Sequence, residues 1–242
     1  DLRLKISNFI VRKKSEEELD LPELNIKRYY FSMNDESTKK YNELMEEMYQ
    51  NELQTAEYER EILILKDSIK NNKIPKEEMK GAAIELKKLV TLQKKGNMSK
   101  KGNIMTLNRT CAESKVKDIV KLVKEYNKQG DKVIVFSFFK TVLEKLHDLF
   151  GNKAVLIDGS VTAIKRRDSI NKFKKKEDVS VFLGQSIAAG IGINLVNANV
   201  VLFCDLPFTP DLLEQPYKRA HRQGQKNNVE VIYAMIPDSI DE

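Results

Sequence analysis

Arg219 and Arg222 stand three residues apart in Gln215-Pro-Tyr-Lys218-Arg219-Ala-His221-Arg222-Gln-Gly224-Gln225. On a helix that spacing points both guanidinium groups the same way. Two parallel, permanently charged forks suit a transferring phosphoryl group, whose charge spreads over its oxygens. Surface arginines held in salt bridges show the same spacing, so position alone leaves both readings open. A second cluster, Ser186-Ile-Ala-Ala-Gly190-Ile-Gly192-Ile-Asn194-Leu195, follows the apolar run Val179–Leu183. Small residues there let backbone amides approach a phosphate or a neighbouring loop, and tight packing accounts for them equally well. The third cluster is Asp158-Gly159-Ser160, followed by a basic stretch with Arg166, Arg167, Lys172 and Phe173. A helix starting after such a turn offers its N-terminus to a nucleic-acid backbone. His221 reads as a packing or hydrogen-bonding group rather than a general base, and His147, on an ordinary helix, as structural.

These clusters need a scaffold, and the pattern of the second half supplies one. Val116, Ile119, Val120 and Val123 form one helical face, ended by Gln129-Gly130, and Val133–Phe136 is a short continuous apolar run of the kind a buried strand makes. Helix and strand then alternate: a helix through Val142, Leu143, Leu146 and Leu149, a strand Ala154–Ile157, a basic helix Ala163–Phe173, a strand Val179–Leu183, a strand Asn199–Cys204, a helix after Pro210 and a strand Val229–Met235. Such alternation predicts a parallel α/β sheet whose ligands meet the loops at the carboxyl ends of the strands. The first half reads as helical from Thr38 to about Gln93, with Tyr41, Leu44, Met45 and Met48 on one stripe, a break at Asn71-Asn72 and Pro75, and a second helix through Ile84, Leu86, Leu89 and Val90. Lys94–Asn103, with Gly96 and Gly102 among lysines, reads as a mobile loop.

Composition narrows the class. At 242 residues, 41% hydrophobic and 32% charged, the chain has enough core for one large domain or two small ones, which excludes a disordered tail and a disulfide-stapled miniprotein. No run is long and apolar enough to span a membrane and no signal peptide opens the chain, so an intracellular protein without a membrane partner is expected. Cys111 and Cys204 lie far apart with no histidine clustering, which points to two buried thiols rather than a metal site. Between Val161 and Lys176 seven cations face one acid, Asp168, a local charge of +6 that equals the net charge of the whole chain. Clustered cations suit phosphate backbones through counterion release, and a solvated helix face is the plainer alternative. The chain opens at Asp1 and closes at Asp241-Glu242 straight after a strand, and so reads as an excised fragment.

In this order the segments resemble the second RecA-like lobe of the SWI/SNF-related (Snf-type) DNA-dependent ATPases of helicase superfamily two. Val133–Ser137 looks like the first strand of that lobe, Asp158-Gly-Ser with Arg166 and Phe173 like its next motif, Ala188–Leu195 like its G-L-G-x-N-L segment, and Gln215–Gln225 like its Q-A-x-D-R-A-H-R-x-G-Q signature. Phe9–Lys13, Leu21-Pro22 and Tyr41 look like the passage from lobe one. The resemblance implies a RecA-like parallel sheet flanked by helices with an N-terminal helical protrusion, divided as residues 1–27 (passage), 28–110 (protrusion and loop) and 111–242 (lobe). It implies that Arg219 and Arg222 are arginine fingers for ATP bound with Mg2+ on the first lobe, with Gln215 orienting that site. Ser186, Gly190, Gly192 and Asn194 would couple DNA to the cleft, and Ser137, Ser160, Arg166, Arg167 and Lys172 would hold phosphates of one strand. The implied parent is a double-stranded DNA translocase of the chromatin-remodelling or fork-remodelling type, its partners the first lobe, duplex DNA, and nucleosomes or replication-fork proteins. Its place would be the nucleus if the source is eukaryotic, while heavy use of Lys, Asn and Ile points to an AT-rich genome such as that of a protist, a bacterium or a large virus.

Departures from that pattern are Lys218 where an acid is usual, Pro216 where alanine is usual, and Phe208-Thr209 where Trp-Asn is usual. An interior proline removes a hydrogen bond, so the finger helix is expected to kink or begin late. The chain has no G-x-x-x-x-G-K-[ST] and no strand ending in an Asp-Glu pair, so alone it is expected not to hydrolyse ATP. A non-catalytic nucleic-acid-binding lobe is the alternative that Lys218 and Pro216 motivate. A dinucleotide enzyme fits poorly, because Gly190-Ile-Gly192 lacks a third glycine and only Asp205 stands where the ribose partner belongs.

Overall fold

The computed structural model describes residues 21–185, 193–207 and 209–242. They divide into two compact units, one taking the chain up to Phe31 together with Lys115–Met235, the other Ser32–Ser114 with Ile236–Glu242. Phe9–Lys13, Ser186, Gly190, Gly192 and Phe208 lie outside the described residues.

The first unit is a six-stranded sheet in the order β1-β6-β5-β2-β4-β3, every pairing parallel. Its strands are β1 (Leu24–Tyr30), β2 (Val133–Ser137), β3 (Ala154–Ile157), β4 (Val181–Gln185), β5 (Val200–Phe203) and β6 (Val229–Met235). The inner strands β2 and β5 are buried at every position, as strands covered on both faces must be, and that is why they are written as unbroken apolar runs. Phe136, Phe203, Phe173 and Phe182 fill the core in tilted and edge-on pairs. The parallel α/β lobe expected from the alternating pattern is therefore present.

Three local expectations shift. β4 begins at Val181 rather than Val179, because the Val179 carbonyl turns to the Lys132 ammonium at 3.0 Å. That ammonium also takes the carbonyls of Phe173 and Lys176 at 2.6 and 2.7 Å, capping the end of the basic helix where the dipole is negative. Leu149 is 52% exposed, and Phe150 takes its place in the core. The alternating pattern of the sequence gives no sign of β1. Among the described residues it pairs on one side only, with β6, and leaves Ile26 and Tyr30 half exposed, so as an edge strand its apolar pattern is blurred. The division expected between residues 27 and 28 falls inside it.

In the second unit, α1 (Asp35–Lys70) and α2 (Met79–Ser114) pack as an antiparallel hairpin. Asn34 caps α1 by accepting from the Ser37 N–H at 2.8 Å, and the break falls at Asn71, as Asn71-Asn72 and Pro75 require. The loop expected at Lys94–Asn103 is instead continuous helix within α2. Two helical glycines cost roughly 1 kcal/mol each, but tertiary packing outweighs that cost where Gly96 lies against Thr55, with Glu52–Lys100 and Glu59–Gln93 contacts on either side. Tyr41, Leu107, Cys111 and Ile236 close the unit, and the Tyr41 hydroxyl accepts from the Ile240 N–H at 2.9 Å. Cys111 and Cys204 are both buried and neither is in a disulfide. Among the described residues no helix is long and apolar enough to cross a membrane.

Candidate phosphate-binding face

The loops at the carboxyl ends of the strands are tied together by side chains from the strand ends. Ser137 is fully buried, and its hydroxyl donates to Asp205, just beyond β5, whose other oxygen accepts from the Phe138 N–H at 2.8 Å. Gln185, closing β4, donates to the Phe138 carbonyl at 3.1 Å and accepts from the Gly159 N–H at 3.4 Å. The loops after β2, β3 and β5 are thus held in one register. Ser137, expected on a DNA phosphate, is corrected by its burial: it positions the 138–139 turn and has no surface to offer a phosphate. Asp205, which fits poorly as a ribose partner, is the group it serves, and an acid two residues past a wholly apolar strand is the signal the sequence offers.

After β3 the Asp158 carboxylate accepts from the Ser160 hydroxyl at 2.6 Å and the Ser160 N–H at 2.8 Å, and faces the Lys140 ammonium at 3.0 Å. These donors, the Ser160 hydroxyl foremost, hold Asp158 at a pKa of about 2, against the opposing effect of burial, and the same pair raises Lys140. Ser160 itself is exposed at the tip of the turn, and beside it Lys140 opens α4 (Lys140–Phe150), the helix that follows α3 (Val116–Lys128) and β2 in the chain. Thr162 then caps α5 (Ala163–Lys175), accepting from the Lys165 N–H at 3.4 Å. Arg166 is half-buried and reaches the Val161 carbonyl at 3.4 Å, while Arg167 is exposed. Lys172 is not in this group. It lies about 9 Å further along the helix axis from Arg166, lining a surface cavity with Ala154 and Val179 near the opposite edge of the sheet.

The arginine segment departs from the expected helix. α6 (Pro210–Tyr217) ends one residue after Pro216, and Arg219 and Arg222 lie on the turns that follow. Pro216 has no N–H to continue the ladder, and the Arg219 and Ala220 amides bond three residues back, to Pro216 and Tyr217, at 3.1 and 2.9 Å. Lys218 pairs with Glu214 at 2.9 Å, holding that carboxyl below its usual range. Arg219 is half-buried, whereas Arg222 and Gln215 are exposed. The Arg219 carbonyl accepts from the Leu195 N–H at 2.9 Å, and Asn194 turns its own side chain to the Val196 N–H at 3.2 Å. Buried Gln225 completes the joint: its amide donates to the Ala198 and Ala220 carbonyls at 2.9 and 3.2 Å, and its oxygen accepts from the Lys226 and Asn227 amides. His221 is buried, its Nε2 2.7 Å from the Pro22 carbonyl. The structure therefore joins Leu195, the neighbour of Asn194, to Arg219, and Gln225, the last residue of the motif, ties Ala198 to Ala220 beside that bond.

A parallel sheet whose strand-end loops carry arginines, serine and a capped basic helix is the architecture of a RecA-like helicase lobe. The helicase conserved C-terminal domain matches residues 114–224. The chain is similar to the ATP-dependent helicase fft3 of Schizosaccharomyces pombe, 38% identical over 132 residues that make up 53% of this chain and 14% of that protein. It is similar also to the ATP-dependent helicase FUN30 of Saccharomyces cerevisiae, 37% identical over 115 residues, 46% of this chain and 10% of that protein. The chain thus spans only a small part of these relatives. Two solved structures share the fold: the C-terminal part of the Fun30 ATPase domain, with a TM-score of 0.60, 22% identity and coverage of 91% of this chain and 87% of that one, and the Sulfolobus solfataricus SWI2/SNF2 ATPase core in complex with double-stranded DNA, with a TM-score of 0.56, 20% identity and coverage of 99% and 47%. Residues 114–224 thus match the helicase conserved C-terminal domain, in a stretch similar to ATP-dependent helicases and SWI/SNF-related proteins, and the fold is that of a RecA-like lobe.

Proposed function

We propose that this lobe is the second motor half of an ATP-dependent double-stranded DNA translocase, presenting Arg219 and Arg222 to ATP held with Mg2+ by a first lobe. The observation that carries the reading is the joint between Asn194–Ala198 and Arg219–Gln225, made by the Leu195 amide and the Gln225 side chain. A segment that meets DNA and a segment that meets nucleotide must move as one for the two events to be coupled, and this joint makes them one. The cofactor contributes the phosphoryl group and its metal. This chain contributes two guanidinium groups that need no proton to be charged, with Gln215 on α6 orienting the same site. Ser160, Arg166 and Arg167 face the DNA backbone, with Ser186, Gly190 and Gly192 joining the proposal by sequence. The parent then acts on nucleosomes or replication-fork assemblies, in the nucleus if its source is eukaryotic.

The decisive experiment measures DNA-stimulated ATP turnover of the parent protein. Arg222→Ala and Arg219→Ala are each expected to lower turnover by about 10³-fold or more, the usual worth of such a finger, with duplex binding retained. The isolated lobe is expected to show none, with or without DNA. Undiminished turnover in both variants overturns the finger assignment. The turn positions of the arginines and the Lys218–Glu214 pair support a second reading, a nucleic-acid-binding lobe without turnover, whose signature is tight duplex binding by a parent that hydrolyses nothing.

A further inference from the structure

The helical unit carries a surface for which the motor role has no use. On α1, Met45, Tyr49, Leu53, Leu63 and Ile64 are 38%, 56%, 47%, 69% and 62% exposed. At about 100° per residue these five fall within an arc of about 100°, over about 28 Å of helix. The arc lies to one side of the line of Glu52, Thr55 and Glu59 that meets α2. Apolar side chains gathered on one face differ from single exposed residues, which need no partner.

The rim of that stripe is acidic. Between Glu43 and Glu61 seven glutamates stand against Arg60 alone, a net charge of −6. The same helical arithmetic sets exposed Glu43, Glu46, Glu57 and Glu61 along the far side of the stripe from α2. We propose that this face docks a cationic amphipathic helix of a partner protein, its apolar residues on Tyr49, Leu53, Leu63 and Ile64 and its lysines or arginines on the glutamates. Charge decides among the occupants. Duplex DNA would bring phosphates against carboxylates, and a symmetric second copy would set the same glutamates face to face, whereas a basic helix satisfies both the stripe and its rim.

The test titrates the 242-residue chain with a labelled leucine/lysine amphipathic helix about 18 residues long. The comparison peptides are one of the same composition with its apolar positions scattered, and a leucine/glutamate helix. Binding of the first peptide is expected, together with weakening of about tenfold or more in Tyr49→Ser/Leu53→Ser and in Leu63→Ser/Ile64→Ser. Its salt dependence should be shallower in Glu57→Gln/Glu61→Gln. All these positions are exposed, and circular-dichroism melts confirm that the variants fold. Equal binding of the scattered peptide, or no loss in the serine variants, overturns the proposal in favour of unspecific charge attraction. Self-association of the chain in sedimentation, abolished by the same serine substitutions, overturns it in favour of a second copy.

Discussion

Asp158 at the end of β3 has two hydrogen bonds from Ser160 and the Lys140 ammonium around one buried carboxylate, and its pKa of about 2 records how much they favour the charged form over its ordinary 3.8. A carboxylate whose folded pKa is depressed contributes stability that is complete above its unfolded value and disappears as pH falls through the folded one. Acid should therefore loosen this turn between about pH 4 and pH 2, by at most about 2 kcal/mol. Urea melts across that range should show the loss in the native chain, while Asp158→Asn, less stable at neutral pH, should show a flatter acid limb. A limb of unchanged steepness would mean that other carboxylates dominate. The same exercise separates Ser160 from Ser137. Both serve a neighbouring aspartate, but only Ser160 is exposed at the tip of a turn where a phosphate can reach it.

Helix α2 shows how an element survives residues that argue against it. A Cβ at Gly96 would come within 2.1 Å of the Thr55 hydroxyl oxygen, whereas one at Gly102 would meet nothing within 4 Å. Alanine gains about 1 kcal/mol of helix propensity over glycine at either place. At Gly102 nothing opposes the gain, so Gly102→Ala should raise the stability of the helical unit by about 0.5–1 kcal/mol. At Gly96 the overlap reverses the sign, and Gly96→Ala should cost about 1–2 kcal/mol, recovered in part by Thr55→Ala. Thermal melts of the three variants test both signs, and equal stabilisation by the two alanines would remove Gly96 from the crossing. Glycine and lysine content alone cannot separate these cases, because the deciding atom is on α1, about forty residues away. The lobe was more legible for a related reason: β2, β5 and β6 carry their burial in their own residues, whereas edge strand β1 takes its identity from a partner near the other end of the chain. Among site residues, the types in Arg219, Arg222 and Asn194 were visible in the text. That Pro216 ends α6 early, leaving both arginines on turns, depended on where the helix began.

At the scale of the whole molecule the proposed role raises the question of which side of the lobe would meet DNA, and the sheet makes it answerable. Every strand is parallel, so the loops that end them share one edge, and α5 runs from that edge toward the opposite one. The basic residues of α5 and its C-cap, one patch in the sequence, are thereby dealt to two places: Arg166 and Arg167 stay at the end that follows Ser160, while Lys172 and the C-cap Lys176 line the cavity beside Ala154 and Val179. Each phosphate neutralised contributes about −0.9 to the slope of log affinity against log salt. If DNA lies along the carboxyl edge, Arg166→Ala/Arg167→Ala should make the slope shallower by about 1–2, whereas Lys172→Ala/Lys176→Ala should leave it nearly unchanged. The two double variants remove equal charge, so a mere fall in net positive field would weaken both alike. Unequal slopes would trace the DNA path to the edge where the Arg219 loop and Leu195 are joined, putting the proposed grip and nucleotide sites on the same side of one sheet. The reverse inequality would move the DNA to the far edge and detach it from the joint on which coupling rests.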